Sequence, residues 1–229
     1  MQGGVVEHAI DVARFDPGSP PLLVLPPWPG LDRAARRAAA AGVPVLRLAP
    51  APRPGGVGEW LAHRPVDLVH VHFAAAGDGT AAVEAALAAG IPVVSTDHAC
   101  DGAESPGIWE ARRRVAARQA AVLADSAAIA RGLEQRLGCP VRVVPHGIEV
   151  PHFAAAPARQ VARRQLGLPA AGPVVTSAGA LFSHKGMHRL LRAVSQVEPR
   201  PTLVIAGEGP EHPRLESEAR ERGVDLRLP

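Results

Sequence analysis

The chain has 229 residues, of which 47% are apolar and 21% charged, and a formal net charge of +3. This length and composition are typical of a globular protein with one large or two small domains, and they exclude an intrinsically disordered chain. The low net charge, the scattered arginines and an aromatic content of only 3% argue against a nucleic-acid-binding surface.

The two cysteines, Cys100 and Cys139, are far apart and form no Cys-x-x-Cys pattern. Neither a disulfide framework nor a thiolate zinc site is therefore indicated. The chain opens without the pattern of a signal peptide, and no apolar run approaches the length of a membrane span. We expect a reducing, cytoplasmic location.

Short apolar runs alternate with longer Ala/Arg/Glu stretches through the first 145 residues. The runs are apolar on both faces, as in buried parallel strands, and the alternation is typical of an α/β protein. Strands are predicted at 21–26, 44–49, 67–73, 92–97, 121–125 and 141–145. Helices are predicted between them, at 4–14, 31–41, 79–89, 105–119 and 126–137.

After a connecting stretch the rhythm restarts, with strands at 173–179, 202–207 and 225–229 and helices at 185–197 and 211–222. We expect an N-terminal domain over 1–152, a linker over 153–172 and a second domain over 173–229. The second domain has fewer strands than a doubly wound sheet needs. The first opens on Gly3 and Gly4 with no strand before them, so we expect a gap in its sheet. Both features suggest a sequence trimmed at both ends, or a start codon assigned too late.

Lys185 is the only lysine among the 25 Lys and Arg residues. It lies between a strand that ends at Gly179 and a helix expected to begin around Gly186. Free N–H groups and the positive dipole end of a helix stabilise an anion, and Ser183 and Lys185 would add donors. The stretch predicts a phosphate-binding site, although an ordinary strand–loop–helix connection with a solvated lysine fits it equally well.

A second glycine turn follows the next strand, with Gly207 and Gly209 ahead of Pro210. Proline suits the first turn of a helix, and the glycines allow a tight turn. Most such turns only join a strand to a helix, so Gly207 and Gly209 are the weaker candidates.

Histidines mark the first domain. His70 and His72 share one face of a predicted strand, and His98 follows the end of another, where ligands of open α/β sheets bind. One interpretation is a metal site of a hydrolase, completed by Asp97, His98 or Asp101. Another is that the histidines line a crevice and hydrogen-bond a sugar, and His70 also fits a core histidine whose hydrogen bonds are satisfied.

The predicted helix 105–119 is rich in arginine. Arg112, Arg113 and Arg118 could face an anionic membrane surface, or they could form an ordinary solvated face.

Taken in order, the segments of the chain resemble the family 4 glycosyltransferases, which have the GT-B arrangement of two facing Rossmann-like domains. The resemblance rests on "GGVVEHAIDVAR", "DLVHVH", "GIPVVSTDHA", "LADSAAIARGL", "VRVVPHGIEVPHF", "SAGALFSHKGMHRLLRAV" and "LVIAGEGPEHPRLE". It implies an α/β fold of two doubly wound domains with parallel sheets, the second incomplete here.

The resemblance also implies an activity: transfer of a sugar from a nucleotide diphosphate donor to an acceptor with retention of configuration. No cofactor and no metal is implied, because positive groups hold the leaving diphosphate. By position, His98 would lie near the transferred sugar. Lys185, with Gly179, Ser183 and Gly186, would bind the donor diphosphate. Gly3 and Gly4 would approach the donor phosphate or the acceptor, which can be a sugar, a lipid-linked sugar or a small molecule.

Three departures from the family pattern are visible. Ala180 stands where an arginine usually follows the strand, and one such contact is worth about 1.5–3 kcal/mol. His146 replaces a common asparagine, and the paired glutamates that hold the donor would lie beyond Pro229. We therefore expect a transferase fragment with little activity. The alternatives are a sugar-nucleotide epimerase of the same fold, a metal-dependent hydrolase using His70 and His72, and a noncatalytic remnant.

Overall fold

The computed structural model describes residues 4–15, 21–26, 30–48, 56–100 and 105–229. The chain divides into two compact units, Met1–Gly147 and Ile148–Pro229. The division falls a few residues before the boundary expected from the sequence at 152.

The first unit contains parallel strands, as predicted from runs of residues that are apolar on both faces of the strand. They are β1 (Leu23–Leu25), β2 (Val45–Arg47), β3 (Val69–Phe73), β4 (Val93–Asp97), β5 (Ala121–Ala124) and β6 (Arg142–Val143). Within the described ranges they form two separate sheets, with orders β1-β2 and β3-β4-β5-β6. No strand pairing in these ranges joins the pair β1-β2 to the four strands that follow, and the missing first strand stays a prediction.

In the described part of the first unit, six helices accompany these strands. They are α1 (Gly4–Phe15), α2 (Asp32–Ala40), α3 (Gly56–Ala62), α4 (Thr80–Ala88), α5 (Pro106–Ala116) and α6 (Ala127–Leu137). Five of them agree with the sequence prediction within a few residues. Helix α3 was not predicted, because it begins in a Pro/Gly-rich stretch and is only 7 residues long.

Local sequence explains where the helices of the site region begin and end. Pro106 occupies the first turn of α5, where its missing N–H is not needed. The Ser126 hydroxyl accepts a hydrogen bond from the Ile129 N–H and caps α6. Helix α6 ends at Gly138, whose φ of 70° is the left-handed conformation that glycine adopts at low cost.

The second unit repeats the α/β alternation. It comprises α7 (Val150–Ala154), α8 (Arg159–Gln165), β7 (Val174–Ala178), a 3-10 turn (Ser183–Lys185), α9 (Met187–Val194), β8 (Thr202–Ala206), α10 (His212–Arg222) and β9 (Leu226–Arg227). The strands are parallel, in the order β7-β8-β9.

The stretch predicted as a linker, 153–172, differs from that prediction because it contains α8 and packs as part of the second unit. Its anchor is Arg163, which is buried and donates to the carbonyl oxygens of Pro169 (2.7 Å) and Gly172 (2.8 Å). The stretch is rich in Ala and Arg without clear apolar periodicity, so the sequence gives little sign of the helix.

Each unit has its own core. In the first, Trp109, Leu133 and Val122 pack between α5, α6 and β5, while Phe73 and Val83 pack between β3 and α4. In the second, buried side chains of β8, of helices α9 and α10 and of the loop after β7 form one cluster that includes Leu181, Met187, Leu191, Leu203, Ile205 and Leu215. Among the helices that the structure describes, none combines the length and apolarity that crossing a membrane requires.

Candidate active site

His98 follows β4 directly and lies at the centre of a group of imidazoles. Its backbone N–H donates to the Phe73 carbonyl at 3.0 Å, which extends the β3-β4 ladder and fixes the residue at the strand end. The side chain is only 5% exposed. Its Nε2 lies 3.2 Å from Nδ1 of His72, and its Nδ1 lies 3.0 Å from Nε2 of His146.

Two more polar side chains reach His98 from the neighbouring strand ends. Asp125 follows β5, and His146 comes three residues after β6. One carboxylate oxygen of Asp125, Oδ2, lies 3.6 Å from Nδ1 of His98 and 3.6 Å from Nε2 of His146. Because parallel strands end at the same edge of a sheet, residues distant in sequence meet here.

Helix α1 and strand β3 complete the group. The ring of His8 stacks on His146 with centroids 3.8 Å apart and meets His98 edge-on at 5.5 Å. His70 and His72 lie on one face of β3 with centroids 4.2 Å apart. His8, His70, His72, His98 and His146 are hereafter the histidine cluster.

Burial favours the neutral form of four of these imidazoles, those of His8, His70, His72 and His98. It is the main cause that lowers the pKa of His98 to about 4 and the pKa of His72 to about 2, and the neighbouring histidines lower both further. Asp125 acts in the opposite direction on His98 but does not cancel the effect of burial. The pKa values of His8 and His70 are also lowered, mainly by burial. Neutral rings offer one donor and one acceptor each, as hydrogen bonding and metal ligation both require.

The metal site of a hydrolase was one interpretation of His70, His72 and Asp97, but His70 and Asp97 have other partners. The Nε2 atom of His70 lies 2.8 Å from the Thr96 hydroxyl, which gives it the satisfied partner of a core histidine. The carboxylate of Asp97 is held by Arg112 through contacts of 2.7 and 2.8 Å. Asp101 lies outside the described residues.

Arg112 corrects one expectation. Its side chain is 0% exposed, so it cannot face a membrane, and its guanidinium lies 3.5 Å from the ring centroid of Phe73. Burial is the main cause that raises the pKa of Asp97 to about 6, against the opposing charge of Arg112. Arg113 and Arg118 are exposed, which is compatible with either a solvated face or contact with an anionic surface.

The second unit carries the other predicted residues. Lys185 and Ser183 are exposed in the 3-10 turn that follows β7, and Gly186 adopts a φ of 72° between this turn and α9. Helix α9 thus begins at Met187, two residues later than predicted, because the tight turn precedes it. Met187, Leu191 and Val194 bury one face of α9 against the sheet.

Gly207 and Gly209 have a clear structural role. A Cβ atom on Gly207 would lie 1.9 Å from the Gly179 carbonyl oxygen, and one on Gly209 would lie 2.6 Å from the Leu181 carbonyl oxygen. The loops after β7 and β8 are further joined by a hydrogen bond from the Leu181 N–H to the Glu208 carbonyl at 2.9 Å. These glycines therefore support the loop that presents Lys185.

The residues predicted from the sequence are thus divided between the units. The first unit brings His72 and His98 into contact, and the second brings Gly179, Ser183, Lys185 and Gly186 into one loop. Gly4 begins α1, and Gly3 lies outside the described residues.

Three members of the site, His8, Asp125 and His146, were not predicted as site residues. Asp125 is the last residue of one predicted strand and His146 directly follows another, which was the available signal. His8 lies within a helix and offered none.

Comparisons with known proteins identify the family. The sequence profile described as Glycosyltransferase Family 4 matches residues 3–151, and the profile described as Glycosyl transferases group 1 matches residues 158–227. The first match alone covers more than half of the chain.

Two curated relatives are similar over part of their length. A Bacillus subtilis protein named as the teichuronic acid biosynthesis glycosyltransferase TuaC is 32% identical over 149 residues, which is 63% of this chain and 38% of that protein. A D-inositol 3-phosphate glycosyltransferase of Xylanimonas cellulosilytica is 31% identical over 185 residues, which is 71% of this chain and 44% of that protein. The chain thus spans less than half of either relative.

Solved structures share the fold. Anabaena HepE in complex with UDP-glucose superposes with a TM-score of 0.82 and 20% identity, covering 100% of this chain and 66% of that one. The same protein in complex with UDP gives a TM-score of 0.79 and 21% identity over 99% and 65% of the two chains. The fold is therefore of the GT-B type, as expected from the sequence, and the chain belongs to glycosyltransferase family 4.

Proposed function

We propose that this chain is the portion of a glycosyltransferase that contributes an acceptor-side unit and the beginning of a donor-binding unit. The reaction would transfer a sugar from a nucleotide diphosphate donor to a sugar, lipid-linked sugar or small-molecule acceptor, with retention of configuration and without a cofactor. Family membership is the observation that carries this proposal. The position of His98 just past the carboxyl end of β4 and that of Lys185 in the turn between β7 and α9 support it.

In this proposal Lys185 binds the donor diphosphate. The side chain is exposed on a loop held by the interlocked turns of Gly179 and Gly207. The first N–H groups of α9 follow directly, and the N-terminal N–H groups of a helix lack partners within the helix. An ammonium group and a helix start together stabilise the negative charge that develops on the leaving diphosphate.

His98 is proposed to contact the transferred sugar. The low pKa of about 4 keeps the imidazole neutral at physiological pH, so that it can exchange hydrogen bonds with hydroxyl groups. On its Nδ1 side the neighbours, Asp125 and His146, have side chains that are 20% and 35% exposed. A sugar can approach the ring from this side, whereas Nε2 contacts His72.

Calorimetric titration of the chain with UDP, GDP, ADP and their sugar conjugates tests the proposal. We expect one nucleotide to bind, and Lys185→Ala to weaken its binding by about ten- to hundredfold, because one charge-assisted contact is lost. Arg164→Ala removes an exposed arginine of α8 in the same unit and serves as the matched control. Failure of every nucleotide to bind would favour the noncatalytic remnant instead.

A further inference from the structure

Three side chains of the first unit direct ligand atoms at a common point. Nδ1 of His98, Nε2 of His146 and Oδ2 of Asp125 form a triangle with edges of 3.0, 3.6 and 3.6 Å. Each atom comes from the segment after a different strand, β4, β6 or β5. The triangle is therefore a product of the sheet and not of a local sequence motif.

The size of this triangle fits a small metal ion. A tetrahedral ion with ligands at about 2.0–2.1 Å holds those ligands about 3.4 Å apart, within the range of the three edges. Two imidazole nitrogens and one carboxylate oxygen are ligands that zinc and related transition metals accept. Magnesium and calcium prefer oxygen ligands alone.

The surroundings of the triangle favour ligation as well. When Nδ1 of His98 binds an ion, its Nε2–H can donate to Nδ1 of His72 at 3.2 Å, the kind of partner that orients metal-binding histidines. His8 stacks on His146 and fixes the plane of that ring. The His98 side chain is 5% exposed, whereas that of His146 is 35% exposed, so the site is ordered on one side and accessible on the other.

We propose that His98, Asp125 and His146 bind one divalent transition-metal ion of the zinc class, with a fourth position open to water or another ligand. This departs from the metal-free site expected from the family resemblance. It does not rest on the proposed transferase activity. It does imply that a bound ion occupies the histidine assigned to the sugar, so zinc and sugar would compete for His98.

The test uses the whole chain, purified without a polyhistidine tag and freed of metal with a chelator that is then removed. We expect calorimetric titration with ZnCl₂ to give one ion per chain. Titration with CoCl₂ should produce the intense visible absorption of tetrahedral Co²⁺.

Asp125→Asn preserves the volume of the side chain but removes the anionic ligand. We expect it to weaken zinc binding by more than about 10- to 100-fold, the loss seen when only an outer partner of a metal site is removed. His146→Asn should do the same, and because the His146 side chain is 35% exposed and outside the buried core the variant should stay folded, as checked by circular dichroism. His63→Ala, an exposed histidine of the same unit, is the matched control and should bind zinc as the parent does.

Equal zinc affinity in the parent, Asp125→Asn and His146→Asn would overturn the proposal, as would the absence of any stoichiometric binding. This failure is distinct from failure of the proposed function. The nucleotide titration probes Lys185 in the second unit and can succeed or fail independently of zinc.

Discussion

At the scale of single residues, the second unit depends on glycine where two loops meet. The backbone of Gly207 lies so close to the Gly179 carbonyl that no other residue fits without movement of one loop. One of these loops, the one after β7, carries the exposed Lys185 turn. A change at Gly207 therefore tests both the packing of the loops and the support of the proposed phosphate site.

Gly207→Ala should destabilise the second unit. The added Cβ would lie 1.9 Å from a carbonyl oxygen, so the backbone must shift, and we expect a loss of about 2–3 kcal/mol in the free energy of unfolding. Urea unfolding of the whole chain measures it.

The control is Gly107→Ala, at a helical glycine of α5 where no atom lies within 4 Å of the added Cβ. Alanine is the better helix former, by about 0.5–1 kcal/mol, so this variant should be neutral or slightly more stable. If both variants lost a similar free energy of unfolding, the contact between Gly207 and the Gly179 carbonyl would not be as tight as described.

At the scale of elements, the buried pair of Asp97 and Arg112 joins β4 to α5 just before His98. Both side chains are essentially inaccessible to water, at 1% and 0% exposure. Charges buried in this way need each other, because a lone buried charge is costly to desolvate. The pair therefore helps to fix the strand end from which His98 projects.

Arg112→Met should be strongly destabilising, by about 3–5 kcal/mol at pH 8, because it leaves the Asp97 carboxylate buried without its counter-charge. Arg113→Met, at the exposed neighbour, should cost less than about 1 kcal/mol. Chemical unfolding of both variants beside the parent gives the difference.

The loss of stability caused by Arg112→Met should become smaller as the pH is lowered. Burial already raises the pKa of Asp97 to about 6 and Arg112 opposes that rise, so removing Arg112 raises the pKa further. A buried carboxyl group with a raised pKa is stable when protonated, and its contribution is lost as pH increases through that pKa. A loss that stays the same at pH 5 and pH 8 would show that the carboxylate had found another partner.

The elements themselves were largely predictable because their signals are local. Apolar runs located the strands, and Pro106, Ser126 and Gly138 marked helix ends. The helices α3, α7 and α8 were missed. Helix α3 begins in a Pro/Gly-rich stretch and is only 7 residues long, α7 has only 5 residues, and α8 lacks clear apolar periodicity. Leu61 of α3 packs into the core with Phe73 and Val83, and the buried Arg163 of α8 donates to carbonyl oxygens of the segment that follows the helix.

The candidate site was predictable only where a residue stood at a strand end within a family motif. His98 satisfies that condition, whereas Lys185 lies in the turn after β7, and the roles of both stay predictions. The partners of His98 come from four other elements, and which of them meet is decided by strand order and register. The prediction that Arg112 lies on an exposed helix face was wrong for the same reason, because its partner Asp97 lies on a strand, 15 residues away in the sequence.

At the scale of the whole molecule, the two units differ in that the histidine cluster belongs to the first unit alone. The histidine cluster, with its closely packed imidazoles, lies wholly in the first unit. Four of its members, His8, His70, His72 and His98, have pKa values lowered from 6.5 mainly by burial. The second unit contains no part of this cluster. Acid should therefore act on the units unequally.

Lowering the pH from 7.5 to 5.5, with a chelator present, should destabilise the first unit selectively. Below pH 6.5 the unfolded chain takes up protons on His72 and His98, whereas in the folded unit their pKa values of about 2 and about 4 keep them neutral, so the free energy of unfolding falls by up to about 1.4 kcal/mol per pH unit for each of the two. The lowered pKa values of His8 and His70 act in the same direction. Asp97, with its raised pKa, acts in the opposite sense but is one group against four. Native-state hydrogen exchange, corrected for the intrinsic rate at each pH, should show reduced protection in β3, β4 and β5 and little change in β7 and β8. A parallel loss of protection in both units would mean that the cluster is not the source of the acid sensitivity.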